Sequence, residues 1–282
     1  MQMRGYNLNG YSLGGIETAL WVPEFSLALD VGRGRQDVLN LNHLALTHTH
    51  IDHAGGLPYV LSLKRLFRMA EPRVYVPEQL ADDLQDMLAA WGRLQRHEPV
   101  LELVPVRPKE RQPIRRNLEL EPFRTYHPIP SVGYSIIETT DKLLEEYQGT
   151  PGPEIGRLRR EGVRVTEARE RRLLSFTGDT LPEVLDKQPQ ILESETLVIE
   201  CTFLDDKKPK EAVRNGGHVH LDDLMDRSAL LTMENLVLSH FSQLHSREET
   251  AELLKPLAGR IPGDLYAFPT KPGEAFIGPI EG

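Results

Sequence analysis

Between Leu46 and Gly56 the chain reads Leu-Thr-His-Thr-His-Ile-Asp-His-Ala-Gly-Gly, so His48, His50, Asp52 and His53 fall within six residues. That is more than a single tetrahedral zinc with an open position uses, and the spacing asks for two neighbouring cations. A pair of ions about 3.5–4 Å apart can clamp a phosphoryl or acyl centre. If the segment is extended, alternation sends His48, His50 and Asp52 into one cleft while His53 reaches a second position beside it. Upstream, His43-Leu-Ala-Leu-Thr47 reads as a buried strand. Downstream, Gly55-Gly56 lets the backbone turn into a helix marked by Leu57, Val60, Leu61 and Phe67. The unit is strand, loop, helix, with its polar groups at the strand's carboxyl end.

The same arrangement recurs along the chain. Ser26–Asp30 is a strand ending in a carboxylate, which either orients a metal-binding histidine or caps a turn. Leu118–Tyr126 alternates into His127, read here as a further ligand. Leu173–Thr177 ends in Gly178-Asp179, a carboxylate that could bridge two metals. Thr196–Glu200 is a buried strand with an acid at its exit, Gly216-Gly217 precedes His218, and Asn235–Ser239 runs into His240. Leu80, Leu84, Met87, Leu88 and Trp91 share one stripe of a helix over 78–92 and read as core. Leu221, Leu224, Met225 and Leu230 mark another helix, and Ser246-Arg-Glu-Glu249 is a capping box. Two β-rich halves, each backed by helices, predict an α/β protein of one domain over 1–282. It would be a four-layer αβ/βα sandwich with the site in the cleft between its sheets.

With 33 basic and 42 acidic residues the formal charge is −9, which excludes binding a polyanion through the whole surface and leaves only a local patch. Residues 141–172 supply the candidate, an inserted basic arm. It comprises a short helix over Asp141–Tyr147, a rigid turn cluster Gly149-Thr-Pro-Gly-Pro153, and seven arginines against three glutamates over 157–172. Arginine grips phosphate oxygens in a fork, so the arm suits an RNA backbone; a solvated charged hairpin is the plainer alternative. The single Cys201 excludes an intramolecular disulfide and fits a reducing compartment. Met1-Gln-Met-Arg-Gly lacks the apolar stretch of a signal peptide, and no run of about 18 apolar residues occurs. The expectation is a cytoplasmic protein with no membrane contact.

The His-x-His-x-Asp-His block at His48–His53 resembles the signature of the metallo-β-lactamase superfamily. Added to it are His127-x-x-x-Ser131-x-Gly133-Tyr134, Phe176-Thr-Gly-Asp179-Thr, Glu200-Cys-Thr-Phe203, Gly217-His218 and His240-Phe-Ser242. Together these closely resemble the ribonuclease Z family, in its short form, over nearly the whole chain from Gly14-Gly15. The resemblance implies the metallo-β-lactamase fold and two zinc ions, with manganese or iron as substitutes. It also implies cleavage of precursor tRNA on the 3′ side of the discriminator nucleotide, and a homodimer in which one subunit's arm holds tRNA for the other's site. Matched by position, His48, His50 and His127 would hold one metal and Asp52, His53 and His240 the other, with Asp179 bridging. A water activated there, its pKa lowered to about 7, would attack phosphorus as hydroxide. Asp52 would accept a proton, and His218, oriented by Glu200, would protonate the leaving 3′ oxygen. His220 and His245 are unassigned, with surface or supporting positions expected. Residues 141–172 take the arm's place, and Gly152-Pro153 resembles its Gly-Pro motif. The chain departs from the family at Gln243-Leu244-His245, where x-Arg-Tyr is usual; Arg247 could substitute. Two other readings fit parts of the pattern: a phosphodiesterase for small cyclic nucleotides on the same scaffold, and a non-catalytic RNA-binding relative.

Overall fold

The computed structural model describes residues 1–282. A short ribbon, β1 (Gln2–Met3) and β2 (Tyr6–Asn7), precedes a six-stranded sheet in chain order: β3 (Asn9–Leu13), β4 (Glu17–Val22), β5 (Leu27–Leu29), β6 (His43–Ala45), β7 (Arg73–Pro77) and β8 (Glu102–Val106). Helices α1 (Ile51–Ala54) and α2 (Leu57–Leu66) follow β6, and α3 (Ala81–Gln95) follows β7. The second sheet has seven strands in the reverse of chain order. They are β9 (Gln112–Arg115), β10 (Leu118–Arg124), β11 (Val132–Leu143), β12 (Thr166–Phe176), β13 (Thr196–Glu200), β14 (Asn235–Ser239) and β15 (Asp264–Ala267). Helix α4 (Gly152–Arg160) caps the β11–β12 hairpin, and α5 (Glu183–Lys187), α6 (Lys210–Asn215), α7 (Leu221–Asp226) and α8 (Arg247–Ala258) complete the chain. In each sheet antiparallel strands give way to parallel ones, from β5 to β8 and from β12 to β15.

The expected four layers follow from period-two alternation in strands buried on both faces. Ala45, Tyr75, Leu27 and Leu29 point into the core between the sheets, with Tyr134, Phe176, Val198 and Val237 opposite them. Their neighbours Leu44, Val74 and Ala28 face α2 and α3, packing with Leu57, Leu61, Leu84 and Leu88. On the other side Leu197, Ile199 and Leu236 pack with Leu224, Leu254 and Leu257 of α7 and α8. The parallel strands all run toward one end, and that shared end carries the polar groups of the site.

Four local expectations change. Residues 141–143 continue β11 and Glu145–Tyr147 forms a single 3-10 turn, so no helix spans 141–147; register pairing to Thr166 holds Leu143 in the ladder. On α3, Leu84 and Leu88 are buried, but Met87 and Trp91 are 42% and 45% exposed, because the buried face runs through Ala81, Leu84, Leu88 and Gly92 and each of the two lies one residue, about 100°, round the helix from it. Helix α7 stops at Asp226, and Leu230 ends a separate 3-10 turn, exposed. The basic tail is not one free patch. Arg157 pairs with Glu154 and Glu161, Arg169 with Glu167, Arg171 with Glu138 and Glu195, and Arg172 with Glu121. Arg159, Arg160 and Arg164 are exposed and have no carboxylate partner.

Candidate metal centre

The loop after β6 is extended only as far as His50. Ile51 then begins the one-turn helix α1, so Asp52 and His53 project from a helical turn, contrary to simple alternation. The break puts His50 Nδ1 3.0 Å from His48 Nε2 while His53 turns away toward the β14 exit. His127, after β10, brings Nε2 to 3.1 Å from His50 Nδ1. His240, after β14, brings Nε2 to 3.4 Å from His53 Nε2 and from Asp52 Oδ2. Asp179, after β12, lies between the two sets: Oδ2 is 3.7 Å from His48 Nε2, and Oδ1 is 3.2 Å from His53 Nε2 and 3.4 Å from His240 Nε2. Donor atoms of His48, His50, His127 and Asp179 lie within 4.8 Å of one another, as do those of Asp52, His53 and His240. Asp179, His218 and His240 form a third such group.

Each buried ring has its outer nitrogen tied to the protein. Asp30 accepts the Thr47 amide at 2.7 Å and the Thr47 hydroxyl at 2.8 Å, and receives His53 Nδ1–H at 2.7 Å. Because the Thr47 hydroxyl donates to Asp30, its oxygen accepts from His48 Nδ1–H at 3.0 Å. The Gly217 carbonyl accepts His127 Nδ1–H at 3.1 Å, and the Thr202 oxygen accepts His240 Nδ1–H at 2.9 Å. These bonds select the tautomers whose Nε2 lone pairs face inward. Asp30 thus orients the His53 ring and, through Thr47, holds the loop after β6; its carboxylate bonds are to these two residues and not to a turn of its own.

Backbone geometry serves the same end. Asp30 and His240 adopt positive φ, 59° and 61°, at the exits of β5 and β14. Two non-glycine residues in the left-handed region at one site are strained and are held by their bonds, His240 by its amide to Ser12 Oγ at 3.0 Å. Gly178, at φ +58°, presses on Thr47, where a Cβ would stand 2.7 Å from the threonine side chain. Gly15, in the β3–β4 turn, donates its amide to Asp52 Oδ2 at 3.0 Å.

Four carboxylates at or beside this cluster are buried: Asp30, Asp52, Asp179 and Glu200. Their only ion-pair partners are histidines. Burial opposes ionisation of Asp52, yet the rings of His240 and His53 outweigh it and hold its carboxyl down at about 2. Burial likewise opposes charge on Asp179, but His240, His53 and His48 keep it well below the usual carboxylate range. Asp179 Oδ1 is buried with no hydrogen-bond partner, and an orphaned carboxylate oxygen facing converging imidazole lone pairs is costly without positive charge between them. The donor set of imidazole nitrogen and carboxylate oxygen, and its electrostatic need, fit divalent cations.

His218 stands beside the cluster, partly exposed. Its Nδ1 is 3.0 and 3.1 Å from the two Glu200 oxygens. Burial works against its charge, but Glu200 more than compensates and raises the imidazole to about 9. Glu200 also accepts the Thr180 amide at 2.7 Å, the Val219 amide at 3.2 Å and the Thr202 hydroxyl at 2.5 Å. Thr202, given no role from the sequence, therefore links Glu200 to His240; its only advance signal is a hydroxyl two residues beyond a buried strand-end acid. Of the unassigned histidines, His220 is buried and N-caps α7, while His245 sits beside Lys207. Gln243 and Leu244 are exposed, and Arg247 is bound to Glu274 and the Ala275 carbonyl in the C-terminal loop rather than turned to the cluster.

Comparison with known proteins places this geometry among relatives. Residues 22–241 match the family model described as the beta-lactamase superfamily domain. The tRNase Z TRZ1 of Arabidopsis thaliana is 32% identical over 270 residues, covering 95% of this chain and 96% of its own length. The nuclear ribonuclease Z of Triticum aestivum is 37% identical over 166 residues, 59% of this chain and 94% of that protein. Among solved structures, human tRNase Z, short form, aligns with a TM-score of 0.57 at 20% identity, covering 84% of this chain and 93% of that one. The metallo-beta-lactamase fold protein YhfI of Bacillus subtilis aligns at 0.62 and 14% identity, covering 92% and 94%.

Proposed function

The chain belongs to the ribonuclease Z family of the metallo-β-lactamase superfamily, and on that footing we propose that it is a tRNA 3′ processing endonuclease removing 3′ trailers from precursor tRNA. It is a metal-dependent hydrolase. The observation that carries the reading to the atoms is the orphaned Asp179 Oδ1 facing the inward nitrogens of His53 and His240, with Oδ2 of the same carboxylate toward His48.

In this reading His48, His50 and His127 would hold one cation and Asp52, His53 and His240 the other, with Asp179 available to both. Zinc suits that donor set, with manganese or iron as substitutes. When bound, such a pair polarises the phosphoryl group and lowers the pKa of water at the site. Asp52, ionised at neutral pH, takes a proton from the attacking water. His218, held by Glu200 and charged at neutral pH, donates its proton to the departing 3′ oxygen. Asp30, Thr47, Thr202 and the Gly217 carbonyl keep the rings aimed.

Substrate contacts lie outside the cluster. The β11–β12 hairpin with α4 at its tip acts as the exosite arm, through Arg159, Arg160 and Arg164. A homodimer would bring one subunit's arm to the other's site. Ile51, 77% exposed, and Met87 line a cavity of about 350 Å³ beside the ligand loop, and with exposed Trp91 they offer a second copy an apolar surface. No helix is long and apolar enough to cross a membrane, and the lone cysteine is buried and free, in keeping with a cytoplasmic enzyme. Incubation with an unprocessed tRNA transcript, mapping of the new 3′ end and metal counting by elemental analysis test the reading. Cleavage after the discriminator nucleotide with two metals per chain is expected. Hydrolysis of small cyclic nucleotides alone would replace it.

A further inference from the structure

A cavity of about 590 Å³ has none of the metal-cluster residues in its lining and has no part in the hydrolytic chemistry. Its walls include Tyr11, Trp21, Tyr266 and Phe276, with Arg35 and Asp37 at one side. Tyr11 and Trp21 meet edge to face with centroids 5.8 Å apart, and the Arg35 guanidinium lies 5.0 Å above the Tyr11 ring. Tyr11 is 3% exposed, yet its hydroxyl has no hydrogen-bond partner. A buried hydroxyl without a partner costs free energy that a ligand can recover. Arg35 and Asp37 meet only loosely, at 3.9 Å, leaving a cationic donor and an anionic acceptor available.

Two connections tie the cavity to the metal site. Tyr11 lies on β3, whose turn into β4 carries Gly15, the amide donor to Asp52. Arg35 belongs to the loop after Asp30, whose Gly32 amide bonds the His53 carbonyl at 3.0 Å. A second cavity, about 510 Å³ and lined by Arg33 and Tyr59, shares Arg35 and Asp37 with the first. Aromatic faces, a hydroxyl, a guanidinium and a carboxylate together are what an unstacked nucleobase on a phosphate backbone requires.

We infer that this cavity is a nucleotide subsite that takes one unpaired base of the RNA flanking the scissile bond. The inference rests on the tRNA-processing reading. The base packs on the aromatic walls, the Tyr11 hydroxyl and Asp37 meet its polar edge, and Arg35 meets the adjoining phosphate.

The test compares kcat/KM for a precursor tRNA transcript with that for bis(p-nitrophenyl) phosphate in Tyr11→Phe and Arg35→Ala. The ratio should fall about three- to tenfold in each, through KM for the transcript. Tyr11→Phe breaks no hydrogen bond within the protein, so its melting temperature should not drop, which separates weakened binding from impaired folding. Tryptophan fluorescence should be quenched saturably by a short oligoribonucleotide, and less by the same oligonucleotide once Arg35→Ala is added. A ratio equal to wild type in both variants, with the wild type cleaving the transcript, overturns the subsite alone. A wild type that leaves the transcript intact but hydrolyses the small diester overturns the subsite and the tRNA reading together.

Discussion

Glu200 holds His218 through both carboxylate oxygens, at 3.0 and 3.1 Å from Nδ1, from a position that is itself buried and bonded to two backbone amides. The proposed acid of the reaction is thereby kept charged in a place where burial alone would discharge it.

That pairing has a pH signature. Glu200 raises His218 to about 9, and an acid must be protonated to act, so activity is present below that pKa and is lost as pH rises through it. Glu200→Gln removes the raising charge. The alkaline limb of the kcat profile should then move to lower pH, toward the ordinary histidine value of about 6.5. An unmoved limb would show that another group sets it.

His218→Ala should slow transcript cleavage by about 10²–10⁴-fold while both metals stay bound. Because His218 shares a donor group with Asp179 and His240, the decisive measurement is elemental analysis. Loss of one metal would make His218 a ligand and leave the acid unassigned.

Asp52→Ala should abolish hydrolysis of transcript and small diester alike with the circular dichroism spectrum kept. Asp30→Asn should weaken metal affinity by about 10–100-fold, since it disturbs the bonds fixing His53 and Thr47. Competition with a chelator of known affinity measures it, and an unchanged constant would limit Asp30 to holding the loop.

Replacing Arg159, Arg160 and Arg164 together by alanine should raise KM for precursor tRNA and flatten its dependence on salt. The slope of log affinity against log salt should fall by about 1 for each phosphate that the arm no longer grips. The paired Arg171 and Arg172 should matter less to binding and more to stability, because each holds the hairpin to the sheet.

Much of this molecule is written in local pattern. Unbroken apolar runs in Val74–Val76 and Leu197–Ile199 require sheets covered on both faces, and the polar residues of the cluster are visible at strand ends, the family resemblance implying which of them are donors. Local pattern fails where a side chain's fate depends on what lies across from it. Met87 and Trp91 share the stripe of Leu84 and Leu88, but only the packing of the layers decides which of the four are covered. The arginines of 157–172 read as one basic arm; the glutamate partners of Arg171 and Arg172, Glu121, Glu138 and Glu195, come from β10, β11 and the approach to β13.

Residue type and spacing alone thus determined the layered α/β architecture and the pool of candidate donors, because both are properties of short segments repeating a period or a chemical kind. Tertiary structure decided the rest. It turned Asp52 and His53 on a helical turn, chose Asp30, Thr47, Thr202 and a glycine carbonyl to fix each ring, and left Asp179 Oδ1 and the Tyr11 hydroxyl without partners. Those outcomes depend on strand exits tens or hundreds of residues apart meeting at one end of two sheets, and hydrogen-bond geometry exists only once they have met.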